Sequence, residues 1–258
     1  MSTIADTFAR CKSEGRAALI GYFPAGYPTV AESTRHVTAM VEAGCDIVEV
    51  GIAYSDPMMD GPTIQAAADT ALHAGVRVSD VFEVVRAVAT AGGVPVVMSY
   101  WNPILQYGVD AFAADLAAAG GQGIITPDLI PDEAEEWTVA AKAHGLGQMF
   151  LVAPSSTPER LKMTCDAASG FIYAQAVMGV TGARDAVSEL PKNLTRRVRE
   201  VSDLPVCVGL GVRSGDQAAE IAAYADGVIV GSAIITAAAE GESAVRALVA
   251  DLADGVRR

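Results

Sequence analysis

DIVEVGIAYSDPMMDGP, residues 46–62, contains the pattern from which the fold of this chain can be predicted. Val48, Val50 and Ile52 are typical of a buried β-strand, and a loop rich in Pro, Gly and Asp follows. Continuous apolar runs of this kind are typical of parallel strands that helices cover on both faces. Glu49 departs from the pattern, because it places a carboxylate inside the strand.

The same unit, an apolar run followed by a polar loop and an Ala-rich helical segment, occurs eight times. The runs are AALIGYF, DIVEVGI, VPVVMSY, GQGIIT, QMFLVA, GFIYAQA, LPVCVGLG and DGVIVGS. Eight such units close a (β/α)₈ barrel, so the sequence predicts an α/β protein with the TIM-barrel fold, in one domain over residues 1–258. A doubly wound open sheet is the main alternative. The barrel is favoured because polar loops follow the strands, where the catalytic face of a barrel lies.

The composition excludes several classes of function. The net charge of −13 disfavours nucleic acid and anionic membranes as partners, because their phosphates would be repelled. The first residues, MSTIADTFARCKSEG, lack the apolar run of an export signal, and no later run is long enough to span a bilayer. Four cysteines without a C-x-x-C pair are typical of reduced thiols; they are Cys11, Cys45, Cys165 and Cys207. We therefore expect a cytoplasmic protein.

Glu49 is the strongest candidate for a catalytic residue, because a carboxylate inside a barrel strand must be paired, protonated or used in chemistry. None of the eight runs contains Lys or Arg, so no partner is evident. Burial should therefore raise the pKa of Glu49 toward the range of a general acid or base. The alternative is a buried ion pair of purely structural value.

Asp56 and Asp60 follow the same strand, and each has a structural explanation as well as a functional one. Asp is common in turns and at helix starts, and DGPT, residues 60–63, has the form of a helix entry. Two carboxylates beyond the strand that carries Glu49 are also consistent with an active site. On spacing alone, both interpretations of Asp60 stay open.

Glycines follow the last three predicted strands. They are Gly179 and Gly182 after the sixth, Gly209 and Gly211 after the seventh, and Gly231, beside Ser232, after the eighth. Glycine lets the backbone approach an anion and direct N–H groups at it, and the last strands of a barrel commonly form a phosphate site. The alternative is that these glycines only turn the chain.

The positions of lysine and histidine argue against two other mechanisms. All are predicted to lie in or beside helices; they are Lys12, Lys142, Lys162, Lys192, His36, His73 and His144. A Schiff-base aldolase needs a lysine at a strand end, and a metal site needs ligands that converge. The sequence therefore predicts acid–base chemistry, without a metal, on a phosphorylated substrate.

Several segments, taken in order, carry a resemblance to a known family. They are LIGYFPAGYPT, EVGIAYSDPMMDGPTIQ, MSYWNPILQYG, ITPDLIPDE, GFIYAQAVMGVTGAR, PVCVGLGV and ADGVIVGSAI. Together they closely resemble the tryptophan synthase alpha subunit family, nearly from end to end, and the pattern E-x-G-x-x-x-S-D-P-x-x-D-G-P is specific to it. The resemblance implies a TIM-barrel lyase that cleaves indole-3-glycerol phosphate to indole and glyceraldehyde 3-phosphate, in the last stage of tryptophan biosynthesis.

The resemblance also implies roles for individual residues. Glu49 would be the acid–base residue, and Asp60, expected to stay ionised in a more exposed loop, would oppose the positive charge that develops on the indole nitrogen. The substrate would be bound at the indole or its lid by Tyr22, Tyr173 and Thr181, and at the phosphate by Gly182, Gly209, Gly211, Gly231 and Ser232. On sequence alone, Tyr173 is also consistent with a core aromatic residue, and Thr181 with an ordinary loop residue.

The family implies no cofactor in this chain, but a beta-subunit partner that carries pyridoxal phosphate, in an alpha2-beta2 heterotetramer. Asp56, Asn102 and Pro103 would belong to the interface. The last two lie in WNPILQYG, residues 101–108, which we expect to be an apolar loop at the catalytic rim. An alternative is that Ile104 and Leu105 only pack on the next helix.

Three positions depart from the family pattern: Ala53 replaces Pro, Tyr54 replaces Phe and Met178 replaces Arg. They leave the chemistry intact and bear on loop rigidity and communication with the partner. Two other functions stay open at this point. A sugar-phosphate isomerase or epimerase would usually add a His, Lys or metal cluster at a strand end, and a non-catalytic allosteric subunit would not need both Glu49 and Asp60.

Overall fold

The computed structural model describes residues 3–175, 189–209 and 211–258. Its strands are β1 Ala18–Pro24, β2 Ile47–Gly51, β3 Val94–Met98, β4 Gly123–Ile125, β5 Gly147–Met149, β6 Leu151–Val152, β7 Ile172–Gln175, β8 Val206–Gly209 and β9 Gly227–Val230. Its helices are α1 Ile4–Ser13, α2 Val30–Ala43, α3 Pro62–His73, α4 Val81–Thr90, α5 Trp101–Tyr107, α6 Val109–Ala118, α7 Glu135–His144, α8 Pro158–Ala167, α9 Glu189–Arg199, α10 Gly215–Ala222, α11 Ser232–Glu240 and α12 Glu242–Gly255, with 3₁₀ turns at Val78–Asp80 and Pro131–Glu133.

The strands form a closed barrel. Their hydrogen-bonded order is β5-β4-β3-β2-β1-β9-β8-β7-β6, and the neighbouring strands are parallel. Phe150 alone separates β5 from β6, so both ends of this order meet in one run of chain. The predicted α/β TIM barrel is confirmed, and the open doubly wound sheet is excluded.

Two local features differ from the sequence-based expectation. The fifth apolar run, QMFLVA, is divided: β5 pairs with β4, and β6 pairs with β7. Residues 101–107, expected to be a loop, form helix α5 instead. Pro103 is compatible with this helix because it lies in the first turn, where its missing N–H has no intrahelical partner to lose. Gly108, with φ of 99°, ends the helix in a conformation that favours glycine.

The barrel interior is filled by alternate strand residues, and α1 covers its amino-terminal end. The interior side chains on the strands include Ile20, Ile47, Val96, Ile125 and Ile229. Ile4, Phe8 and Cys11 of α1 belong to the same buried cluster. The Phe8 ring meets Phe171, which directly precedes β7, edge to face at 5.9 Å. The interior is thereby sealed at the end opposite the carboxyl ends of the strands.

Asp46, directly before β2, is a buried carboxylate at this sealed end. It accepts hydrogen bonds from Arg16 at 2.7 and 2.8 Å, from Arg10 at 2.9 Å and from the Leu19 N–H at 3.0 Å. Burial raises the pKa of Asp46, but the hydrogen bonds and positive charges outweigh burial, so the pKa lies below its usual value. Asp46 thus shows how this fold stabilises a buried carboxylate as an ion.

The thiols and the lengths of the helices agree with the sequence-based expectations. The four cysteines are free and buried, as expected for reduced thiols. Within the described residues, no helix has the length and apolar character needed to cross a membrane.

Candidate active site

Glu49 lies at the centre of β2, between Tyr22 of β1 and Val96 of β3 in the strand register. Its exposed fraction is 1%, and neither carboxyl oxygen has a hydrogen-bond partner among the residues that the structure describes. Burial raises the pKa of Glu49 to about 8. Asp46, three residues earlier on the chain, is paired with two arginines, whereas Glu49 is buried without a partner among the described residues and keeps its proton near neutral pH.

Two tyrosines share the interior with Glu49. Tyr22 is its neighbour on β1, and Tyr173 lies on β7. Glycines leave room for both hydroxyl groups: a Cβ on Gly51 would collide with the Tyr22 hydroxyl, and a Cβ on Gly209 would lie 2.7 Å from the Tyr173 hydroxyl oxygen. Burial, followed by the charges of Glu49 and Asp60, raises both tyrosine pKa values well above normal. Both hydroxyls therefore remain proton donors at neutral pH.

Asp60 lies just before α3, in the segment that follows β2. Its carboxylate oxygen Oδ1 is 3.3 Å from the Tyr100 hydroxyl oxygen. Burial raises the pKa of Asp60 and the hydrogen bond with Tyr100 lowers it, with burial the larger cause. Asp60 is more exposed than Glu49, as expected for a residue in a polar loop, but it is half-buried and its carboxylate meets the Tyr100 hydroxyl.

Tyr100 is a site residue that the sequence did not reveal. It directly follows the strand run that ends in MSY, so its place at the catalytic face was visible. Its contact with a carboxylate 40 residues earlier on the chain was not. Gly51 is a second such residue, because only its missing side chain lets the Tyr22 hydroxyl lie where it does.

The predicted phosphate residues that the structure describes lie at the carboxyl ends of adjacent strands. Gly209 ends β8, Gly211 follows with φ of 65°, and Gly231 joins β9 to α11, whose first residue is Ser232. The first N–H groups of a helix have no intrahelical acceptor and favour an anion. Thr181, Gly182 and Met178 lie outside the described residues.

The predicted interface residues divide into two groups. Asp56 is exposed, and its carboxylate accepts a hydrogen bond from the Ser55 hydroxyl at 2.6 Å. Asn102 is exposed on α5, where its amide contacts the Tyr54 hydroxyl at 3.4 Å. Pro103 is buried in the chain's own packing, so it offers no surface to a partner in this structure.

Lysines and histidines lie where the sequence predicted. The lysines are in α1, α7, α8 and α9, and the histidines are in α2, α3 and α7. No lysine lies at the carboxyl end of a strand. Among the residues that the structure covers, no group of three or more His, Cys, Asp or Glu side chains could hold a metal ion.

The fold and the two carboxylates define a class of protein: a TIM-barrel enzyme with a buried carboxylic acid inside the barrel and a hydrogen-bonded aspartate in the loop that follows the same strand. Residues 8–256 match the family model described as "Tryptophan synthase alpha chain". The chain therefore belongs to the tryptophan synthase alpha chain family.

Individual relatives agree with this assignment. The chain is 67% identical to the tryptophan synthase alpha chain of Mycobacteroides abscessus over 255 residues, which cover 99% of this chain and 97% of that one. Its counterpart from Nocardia farcinica is 66% identical over 256 residues, covering 99% and 96%. A solved structure of tryptophan synthase from Mycobacterium tuberculosis superposes with a TM-score of 0.96 at 60% identity, covering 100% of this chain and 99% of that one.

The reaction of the chain is accordingly the reaction of the family. It is a carbon–carbon lyase that cleaves indole-3-glycerol phosphate to indole and glyceraldehyde 3-phosphate, in tryptophan biosynthesis. A sugar-phosphate isomerase or a purely allosteric barrel is not supported by these relatives.

Proposed function

We propose that Glu49 carries out both proton transfers of the cleavage. The neutral acid donates its proton to indole C3, which leaves a positive charge on the indole nitrogen. The carboxylate so formed takes the proton of the glycerol hydroxyl as the carbon–carbon bond breaks and its electrons return to the ring. The hydroxyl carbon becomes the aldehyde of glyceraldehyde 3-phosphate, and Glu49 is again neutral. A pKa of about 8 suits a group that must first give and then take a proton near neutral pH.

Asp60 has a different role in this proposal. Its carboxylate accepts the indole N–H hydrogen bond and opposes the positive charge that protonation of C3 creates. The hydrogen bond with Tyr100 favours the ionised form of Asp60, whereas Glu49 has no such donor among the described residues. The two environments keep Glu49 protonated and favour the ionised form of Asp60, and the proposed chemistry requires one group of each kind.

The substrate-binding residues in this proposal are those that the family implies, and the positions of the described ones at the strand ends support them. The phosphate is held by backbone N–H groups near Gly209, Gly211 and Gly231, and by the start of α11 at Ser232. Gly182 belongs to the same group in the proposal. Tyr22 and Tyr173, which flank the interior beside Glu49, line the indole end with Thr181.

The observation that carries this proposal is the burial of Glu49 without a hydrogen-bond partner among the residues that the structure covers. The test is to supply indole-3-glycerol phosphate to the purified chain and measure indole release before and after exhaustive chelation and borohydride treatment. We expect release to survive both treatments, because proton transfer by Glu49 needs neither a metal nor a Schiff base. Activity that is lost on chelation and returns with added metal would contradict the proposal.

A partner is part of the proposed function. The chain acts as the alpha subunit of an alpha2-beta2 complex, and the beta subunit carries the pyridoxal phosphate that consumes indole. Support comes from an exposed apolar surface, here called the rim patch, which consists of Met58, Met59, Leu105 and Ile130. These residues follow three consecutive strands, β2, β3 and β4, and Met58 has an exposed fraction of 71%. A cluster of apolar side chains beside the catalytic face is typical of a docking surface.

The docking proposal predicts activation of the cleavage. Titrating the chain with its cognate beta subunit should raise the cleavage rate by at least roughly tenfold, about 1.4 kcal/mol of transition-state stabilisation. The reason is that a partner on the rim patch also contacts the segment that carries Asp56 and Asp60. Asp56→Ala should reduce this gain more than it reduces the basal rate. Ala53 lacks the rigidity of proline, so closing this segment costs more entropy and lowers the gain.

Two matched variants test the location of the interface. Ile130→Ser should weaken the response to the beta subunit, whereas Val139→Ser, on α7 outside the rim patch with an exposed fraction of 65%, should leave it unchanged. A flat titration with binding confirmed independently would refute activation. An equal loss in both serine variants would place the interface elsewhere.

A further inference from the structure

We propose that Tyr100 is a positioning residue whose single hydroxyl group holds the segment after β2 and aims the Asp60 carboxylate. The inference rests on the proposed role of Asp60 and adds a residue that neither the sequence motif nor the proton-transfer scheme requires. Three hydrogen bonds, the surroundings of the ring and the electrostatics of the barrel mouth support it.

The hydrogen-bonding capacity of a phenol fixes the direction of each bond. The Tyr100 oxygen accepts the Met58 N–H at 3.0 Å and the Met59 N–H at 2.9 Å. A hydroxyl has one proton and two acceptor positions, so both acceptor positions are occupied. Its proton is then left for Asp60 Oδ1 at 3.3 Å. Tyr100 therefore donates to Asp60 and cannot accept from it, which favours the ionised carboxylate.

The lengths of these bonds indicate what Tyr100 holds most firmly. The two N–H contacts have ordinary lengths, whereas 3.3 Å is long for a bond between a hydroxyl and a carboxylate. The hydroxyl thus holds the backbone at Met58 and Met59 more tightly than it holds the carboxylate of Asp60, which directly follows them. Contacts of this kind commonly tighten when substrate binds.

Tyr100 can act as a fixed point because its own position is well determined. It has an exposed fraction of 4% and lies between β3 and α5. Its ring packs on Tyr54 with centroids 5.4 Å apart, and the Ser99 hydroxyl donates to its backbone carbonyl at 2.7 Å. The next N–H, that of Trp101, donates to the Asp128 carboxylate at 2.9 Å. The hydroxyl therefore links an irregular segment after β2 to a rigid part of the barrel.

The electrostatic consequence of the hydroxyl is specific. Burial raises the pKa of Asp60 and the hydrogen bond with Tyr100 opposes that rise. The other titratable groups that interact with the charge of Asp60 are Tyr22 and Tyr173, and burial raises the pKa of each, as it does for Glu49 on the strand before Asp60. These three groups keep their protons at acidic pH. The acid limb of the rate profile should therefore belong to Asp60, and the basic limb, near pH 8, to Glu49.

The test is Tyr100→Phe, measured on the full chain with its beta subunit and indole-3-glycerol phosphate. We expect kcat to fall about tenfold, with KM changed less than about threefold, because the charge on the indole nitrogen develops only in the transition state. The acid limb should move to higher pH, because Asp60 loses the donor that lowers its pKa. The matched control is Tyr224→Phe, which removes a tyrosine hydroxyl between α10 and β9, at the amino-terminal end of a strand and away from the catalytic face. It should leave the rate and the pH profile unchanged.

A double variant separates this inference from the proposed role of Asp60. If Tyr100 acts through Asp60, Tyr100→Phe should add little to the loss caused by Asp60→Asn, and the double variant should lack the acid limb. An unimpaired Asp60→Asn enzyme would refute the role of Asp60 itself. An impaired Asp60→Asn enzyme would leave that role standing; the inference about Tyr100 then fails if Tyr100→Phe keeps the parent rate, keeps the parent acid limb, or lowers the Asp60→Asn rate by its full tenfold.

Discussion

Glu49→Gln should lower the rate of indole-3-glycerol phosphate cleavage by at least about a thousandfold, close to 4 kcal/mol of transition-state stabilisation. Glutamine has nearly the shape of glutamic acid, but its amide cannot give a proton to indole C3 or take one from the glycerol hydroxyl. Both transfers are assigned to Glu49, whose oxygens have no partner among the described residues to share the work. The measurement is single-turnover indole release, with calorimetric titration of the substrate.

The binding measurement is the control for this result. Glu49 lies beside the indole end of the proposed site, whereas the phosphate residues lie at the ends of β8 and β9. Substrate affinity should therefore change less than about tenfold, a small effect beside the loss of rate. Indole release within a few-fold of the parent rate would show that Glu49 is not the acid–base residue.

The same substitution should make the folded protein more stable, by an amount that depends on pH. In the unfolded chain Glu49 ionises near its ordinary pKa of 4.5, whereas in the fold burial raises the pKa to about 8. Below pH 4.5 both states hold the proton, and Glu49 costs the fold nothing through ionisation. Between the two values only the unfolded state ionises, so the parent loses stability at about 1.4 kcal/mol per pH unit. Above pH 8 the loss is constant.

Glu49→Gln removes this dependence, so the gain in free energy of unfolding should be small at pH 5 and reach the order of several kcal/mol at pH 8. Urea unfolding of parent and variant at pH 5, 6.5 and 8 measures the difference. Glu136→Gln, which changes an exposed glutamate on α7, is the matched control and should show no such trend. A gain that is equal at all three pH values would mean that the pKa of Glu49 is not raised in the fold.

The barrel could be predicted because its evidence is repetitive and local. Each apolar run followed by a helix is a separate indication of a parallel strand, and the number of runs selects the closed form. The division of the fifth run could not be predicted, because β5 and β6 differ only in which neighbour they bond, on either side of Phe150. Helix α5 was missed for a different reason: Asn-Pro near its start is typical of a turn, and only tertiary packing of Ile104 and Pro103 reveals a helix.

The site could be predicted only where one residue did not fit the apolar pattern of the sequence around it. Glu49 stood out because a carboxylate has no ordinary place in an apolar strand. Tyr100 did not, because a tyrosine at a strand end is unremarkable until its contact with Asp60 is known. The loop is mostly exposed, as its composition indicates, and the partial burial of Asp60 could not be predicted because it depends on the contact with Tyr100 from the next strand.

The sealing of the barrel by α1 determines at which end substrate enters and product leaves. Because Ile4, Phe8 and Cys11 fill the amino-terminal end of the barrel, the part of the barrel that the structure describes leaves indole and its precursor a common path at the carboxyl ends of the strands. Substrate entry and product release must therefore alternate. A subunit bound over the strand ends would receive the product as it leaves. In this way α1, at the opposite end of the barrel, would direct indole toward a partner that is bound over the strand ends.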